Sequence, residues 1–167
     1  MKVGLDIDGV LANFGKGVIK RAQQLGFGDK FPKCHREITT WNICPEFYTV
    51  MRGAWMDPKF WLGLEVLECG IGIPFEVDCY ITARPIDSRV TKKWLDENYF
   101  PDAPVLTVAT HANKLLVAQR RDLTVFVDDL HTTVRAMREN GLDAVLMDAP
   151  YNRDVTDLPR IKYLGDL

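Results

Sequence analysis

Long hydrophobic runs are missing from this sequence. No stretch approaches the ~20 apolar residues of a membrane-spanning helix, so a helical membrane protein is not expected. A secretory leader is missing too, because MKVGLDIDGV carries acids where an apolar core would stand. The four cysteines, Cys34, Cys44, Cys69 and Cys79, include no C-x-x-C pair, and reduced thiols in a cytoplasmic protein are the expectation. Cys34, His35 and Cys44 lack a fourth zinc partner and a familiar spacing, so no zinc site is expected. An excess of positive charge is also missing. With 21 Lys and Arg against 23 Asp and Glu, the chain should have no general affinity for nucleic acid backbones, which goes with a basic surface. Repeats, low-complexity segments and flexible linkers are absent from the sequence as well.

What is there is the composition of an ordinary globular protein. The 167 residues suffice for one domain, or a core with a small insertion, and can bury roughly 70% of the unfolded surface. Lys2 to Ile7 reads as a buried strand. Val18, Ile19, Ala22 and Leu25 then repeat at helical spacing before Gly26. From Phe27 to about Gly70 the character changes. Trp41, Trp55, Trp61, Phe47, Tyr48 and Phe60 fall among short helix-like pieces broken by Pro32, Pro45 and Pro58. Beyond it the pattern is regular. Strands are expected at 77–81, 105–109, 123–127 and 143–147. Helices are expected around Val90, Trp94 and Leu95, over 111–121 with Ala112, Leu115, Leu116 and Gln119 on one side, and from Thr132 or Thr133 to Asn140. This alternation predicts an α/β fold: a Rossmann-like parallel sheet of about five strands with helices on both faces. A small helical cap is inserted after the first strand. The expected division is a core of residues 1–14 and 71–167 and a cap of residues 15–70.

The stretch LDIDGVLANF, residues 5–14, sets two aspartates at the end of a buried strand, beside a glycine. In an open α/β sheet, ligands sit beyond the carboxyl ends of the strands. At that edge the pattern gathers Asp6 and Asp8, Thr82, Asp128 and Asp129, with Lys114 in the first turn of a following helix. Each alone has a plain explanation: a turn, a helix cap, a solvated lysine. Together, four acids repel unless a cation sits among them, and hard oxygen ligands suit magnesium. A carboxylate held ionised by the metal and Lys114 can attack phosphorus, and a second carboxylate can serve as general acid and then base.

The same residues, in the same order, resemble the haloacid dehalogenase superfamily of phosphotransferases. Within it the chain is most similar to the 5'(3')-deoxyribonucleotidases, through D-x-D-G-V-L-A-x-F at Asp6 to Phe14, the Phe60-Trp61 pair before Leu64, and Thr82-Ala83-Arg84-Pro85 followed by Trp94-Leu95. That likeness runs to about Asn152. It implies a phosphoric monoester hydrolase acting on nucleoside monophosphates with Mg2+. By the resemblance Asp6 is the nucleophile and Asp8 the acid/base, with Asp8 also offering its backbone carbonyl to the metal. Asp128 is a direct metal ligand, and Asp129 a direct or water-bridged one. Thr82 and Lys114 hold the phosphoryl group, and Ala83 and Arg84 join them in binding the substrate. Phe14, Trp41, Phe60 and Trp61 either line the nucleoside pocket or form the cap's own core.

One departure stands out. Such nucleotidases carry a longer helix before the second strand, where this chain has ECGIGIP (68–74), whose Gly70, Gly72 and Pro74 disfavour one. Two rivals share parts of the pattern. A 3'-phosphatase of nucleic acid ends has similar catalytic motifs, but an aromatic cap favours a small enclosed substrate. A receiver-type regulatory module also gathers acids, Thr and Lys, yet its phosphorylated Asp follows the third strand, and here VLTVATH has none. The expected partner is a small nucleotide rather than a membrane or a nucleic acid, and a homodimer is left open.

Overall fold

The computed structural model describes residues 1–68 and 71–167. Cys69 and Gly70, with the end of the expected cap and part of ECGIGIP, lie outside the described residues. Among those described, six strands form one parallel sheet: β1 (Val3–Leu5), β2 (Val77–Thr82), β3 (Val105–Thr107), β4 (Val125–Asp128), β5 (Asp143–Met147) and β6 (Arg160–Ile161). Their spatial order is β3-β2-β1-β4-β5-β6. The expected α/β architecture is therefore the one present, with one strand more. β6 pairs with Leu146 and Met147, and two residues next to Pro159 are too short to show any periodicity.

β1 lies at the centre because it is apolar and buried on both faces, as a parallel sheet covered by helices requires. From it the chain winds one way through β2 and β3 and the other way through β4, β5 and β6. The carboxyl ends of β1 and β4 flank this reversal, where α/β sheets open a crevice. The sheet thus fixes where the chemistry can sit.

Among the described residues, three α-helices lie in the crossover from β1 to β2: α1 (Phe14–Gln24), α2 (Phe47–Met51) and α3 (Pro58–Leu62). Asn13 starts α1 by accepting from the Lys16 amide, and Phe14, Val18, Ile19 and Ala22 are its buried face. Leu25, grouped with that face in the sequence, ends the helix half-exposed. Asp57 caps α3 and Pro58 opens it, an arrangement that wastes no amide. α4 (Ser88–Glu97) buries Thr91, Trp94 and Leu95. The Trp94 indole N–H donates to the Leu64 carbonyl at 2.8 Å, so one large ring both fills core and ties the segment after α3 to α4. Burial of such a side chain contributes about 1.5–3 kcal/mol.

Two helices depart from the expected pattern. In α5 (Asn113–Arg120) the buried residues are Lys114 and Ala118, while Leu116 is 47% exposed. Apolar spacing misleads there because ion pairs, not hydrophobicity, draw Lys114 inward. α6 (His131–Glu139) is capped by neither Thr132 nor Thr133. Instead Asp128 Oδ1 accepts from the Leu130 amide at 2.8 Å, so the acid at the end of β4 also shapes the turn into the helix.

Candidate active site

Asp6 continues β1, its amide donating to the Val127 carbonyl at 2.9 Å. That bond sets its side chain level with Asp128 and Asp129 at the end of β4. Oxygens of the three carboxylates lie within 4.8 Å of one another, and all three residues are buried. Lys114 reaches in from α5, its Nζ 2.7 Å from Asp6 Oδ2 and 2.8 Å from Asp128 Oδ2. Tyr151 donates its hydroxyl to Asp129 Oδ2, and Asn152 donates to the Asp129 carbonyl at 2.8 Å. Gly9 turns the chain beside them with φ +82, and a Cβ there would strike the Asp129 carboxylate and the Tyr151 hydroxyl. Only glycine suits that place.

The electrostatics are unbalanced. Burial pushes the Asp6 carboxyl up to about 7, with Lys114 opposing and Asp128 and Asp8 adding to the rise. Asp129 is held well above the usual carboxylate range by burial, then by Asp128 and Asp6. Burial disfavours the Lys114 ammonium, but Asp128 and Asp6 outweigh it and hold the group above the ordinary lysine range. Ionised together, the three carboxylates would set three negative charges against one ammonium in a dry site. A hard divalent cation with oxygen ligands fits that donor set in charge and chemistry.

Asp8 is not part of this cluster. Its two oxygens accept from Arg84 Nε at 2.8 Å and Nη2 at 2.7 Å, a bidentate pair. The Arg84 guanidinium lies 4.9 Å from the Trp61 ring and 5.4 Å from the Trp94 ring, and its side chain is fully buried. Thr82 ends β2 and accepts from the Arg84 amide at 3.2 Å. The bend after β2 thus presents Thr82 and Arg84 to the same edge as Asp6.

A cavity of about 460 Å³ joins this edge to the crossover helices, within the usual size of a small-molecule site. Asp6, Asp8, Thr82, Ala83 and Arg84 line it, together with Phe14, Trp41, Tyr48, Trp55, Trp61 and His111. A second cavity of about 220 Å³ shares Phe14 and Trp41 but none of the four site acids.

The expected rings are distributed unevenly. Trp41 is half-buried, stacked 5.8 Å from Phe14 and edge-on to His111 and Tyr151. Trp61 is 1% exposed; its indole donates to the Trp55 carbonyl and its ring supports Arg84. Phe60 lies outside the cavity, in a groove beside Gly17, Lys20 and Arg21, with its ring against Phe14 and Trp61. Trp55, Tyr48, His111 and Tyr151 were not singled out as site residues. Tyr151 had a usable signal, since it follows β5 at the edge that marked Asp128 and Asp129.

A family model described as "5' nucleotidase, deoxy (Pyrimidine), cytosolic type C protein" matches residues 1–166. The chain belongs to that family. The match carries the likeness past Asn152 to nearly the whole chain. A candidate nucleotidase of Oceanobacillus iheyensis is 33% identical over 85 residues, which are 49% of this chain and 45% of that protein. The match spans about half the length of each. Among solved structures, the fold is similar to an L-2-haloacid dehalogenase (TM-score 0.60, 13% identity, 99% of this chain and 96% of that one). It is also similar to a haloacid dehalogenase superfamily hydrolase of Geobacter sulfurreducens (TM-score 0.58, 17% identity, 99% and 96%). A Rhodobacter sphaeroides protein, CbbY, solved in complex with phosphate, gives a TM-score of 0.58 at 15% identity over 99% and 95%. Among the described residues of this nucleotidase-family chain, no helix is long and apolar enough to cross a membrane.

Proposed function

We propose that this protein is a magnesium-dependent phosphomonoesterase of nucleoside monophosphates that works through a phosphoaspartate on Asp6. One observation carries the reading: a single cavity is lined by Asp6 and Asp8 with Thr82 and Arg84 and also by a set of aromatic rings, of which Trp41 and Trp55 are half-buried. Residues 1–14 and 71–167 act as the phosphatase core, and residues 15–70 as the cap that encloses the nucleoside. Asp6, Asp128, Asp129 and the backbone carbonyl of Asp8 would hold the metal. Bound there, the cation balances the buried acids and screens charge on the phosphoryl oxygens.

The protein's own groups do the rest. An Asp6 oxygen attacks phosphorus, the bond to the ester oxygen breaks, and that oxygen leaves with a proton from Asp8. Water then gives a proton to Asp8 and attacks phosphorus, and the Asp6–phosphorus bond breaks. To carry that proton Asp8 has to leave its bidentate pair with Arg84. Thr82 and Lys114 orient the phosphoryl group, with Lys114 facing the charge that develops on it. A cytoplasmic setting agrees with the family's description as cytosolic.

The test is phosphate release from a panel of ribo- and deoxyribonucleoside monophosphates, with magnesium present and then chelated. A 3'-phosphorylated oligonucleotide runs alongside. Turnover of mononucleotides that stops on chelation is expected. Preference for the oligonucleotide, or turnover indifferent to chelation, overturns the reading.

A further inference from the structure

By the resemblance above Arg84 joins in binding the substrate, yet its side chain is 0% exposed. Its Nη1 is buried and has no hydrogen-bond partner among the described residues, so it offers a substrate nothing as it stands. What the guanidinium does hold is Asp8, with Nε and Nη2 donating to its two oxygens at 2.8 and 2.7 Å. Three further contacts fix the arginine. The Trp61 and Trp94 rings lie 4.9 and 5.4 Å from its Cζ, within cation–π range, and its amide donates to Thr82 Oγ1 at 3.2 Å. Asp8 is the freer partner. Its side chain is 14% exposed, it lines the large cavity, and Gly9 follows it with φ +82. When the pair opens, it is the aspartate that moves.

Resting on the phosphoaspartate reading above, we infer that Arg84 is a positioning residue for the second half of the reaction: it aims the Asp8 carboxylate at water and makes no contact with the substrate. The pairing suits one of the two Asp8 roles and opposes the other. A protonated carboxyl is a poor partner for a fork of two N–H donors, because the charge that strengthens such a pair is gone. A carboxylate accepts both bonds and keeps a further lone-pair site on each oxygen. The pose in the structure is therefore that of the base. Once the leaving oxygen has taken its proton, Asp8 is a carboxylate and returns to a guanidinium that has stayed in place. The water oxygen then bonds to phosphorus and its proton passes to Asp8. The bond from phosphorus to the Asp6 oxygen breaks, releasing inorganic phosphate and the Asp6 carboxylate.

The experiment follows nitrophenyl phosphate, whose departing phenolate needs no proton, in the wild type, Arg84→Met and Arg84→Lys. Met keeps an unbranched chain beside the two rings but holds no carboxylate, and Lys returns one charged donor without the fork. Arg84→Met should lower kcat roughly ten- to a hundredfold, the cost of a misplaced base. Attack by Asp6 is spared, so phosphoenzyme should accumulate, and rapid mixing should show a burst of nitrophenolate approaching the enzyme concentration. Arg84→Lys should recover part of kcat with a smaller burst. Inorganic phosphate should inhibit Arg84→Met about as well as the wild type. A slow Arg84→Met enzyme without a burst overturns the inference, and so does an unchanged kcat. So does phosphate inhibition weakened by roughly tenfold or more, the mark of an arginine that binds the phosphoryl group itself. Thermal unfolding checks the variants; if Arg84→Met does not fold, Arg84→Lys decides, and a wild-type kcat there overturns the inference. A wild type that cleaves the aryl phosphate but no nucleoside monophosphate overturns the nucleotidase reading instead and leaves these outcomes standing. Activity surviving in Asp6→Asn overturns the covalent route, and the role of Arg84 with it.

Discussion

The two ends of the large cavity are built on opposite principles. On the side of the strand ends, Asp6 lines the cavity and Asp128 and Lys114 are buried behind it, charges each held by a strand end or a helix and by short ion pairs. On the side of the crossover helices, Phe14 stacks on Trp41, Trp55 and Trp61 and meets Phe47 and Phe60 edge-on. The charged end has little freedom, because moving one group strands another's charge in a dry site. The aromatic end is held by many weak and interchangeable contacts, each worth about 0.5–1.5 kcal/mol beyond burial. Loss of a charged group should therefore abolish chemistry, whereas loss of a ring should grade substrate choice.

Asp6→Asn is the sharpest break. On the proposed route it removes the attacking oxygen, and turnover of any phosphomonoester should fall more than about a hundredfold. Retention of more than about a hundredth of wild-type activity would leave the covalent route untenable. Lys114→Ala comes next, with an expected loss on the order of a hundredfold in kcat. A near-normal rate in that variant would separate Lys114 from the chemistry despite its 2.7 Å contact with Asp6.

At the other end, Trp41→Leu should weaken a nucleoside monophosphate by roughly five- to a hundredfold, since a base stacked on a ring contributes about 1–3 kcal/mol. An aryl phosphate should suffer less. Trp61→Leu sharpens the contrast, because that ring supports Arg84, which holds Asp8. It should slow both substrates alike, measured as parallel falls in kcat/KM. If Trp41→Leu also lost both equally, the two ends would not be separate devices. The smallest effect is expected from Tyr151→Phe, which deletes the hydrogen bond to Asp129. Manganese titration should show about tenfold weaker binding, as when an outer partner of a metal ligand is removed.

The charged end was legible in the sequence because strand ends announce themselves. An apolar run that stops at Asp6, Thr82 or Asp128 places those residues at one edge once the strands are parallel. The aromatic end was only half legible. Composition marked the cluster, but nothing in spacing distinguishes Trp41, half-open to the cavity, from Trp61, sealed beneath Arg84. That difference arises from tertiary contacts, Arg84 over Trp61 and His111 and Tyr151 beside Trp41. Lys114 shows the same limit inside one helix: its place was legible from the edge rule, yet its burial contradicts the apolar pattern of α5.

The central place of β1 also dictates a timetable for synthesis. The Lys2 amide donates to Thr124 Oγ1 across 122 residues, and β1 pairs with both β2 and β4. At about 5–20 residues per second, a ribosome delivers that partner roughly 6–24 s after the first strand emerges. Until then the strand that carries Asp6 lacks one of its neighbours. The crossover helices are made before it, but the edge on which Asp6 meets Asp128 closes only once residue 128 has been made. A stalled or truncated product ending before β4 would therefore display an unpaired apolar strand, a target for chaperones and an invitation to aggregate.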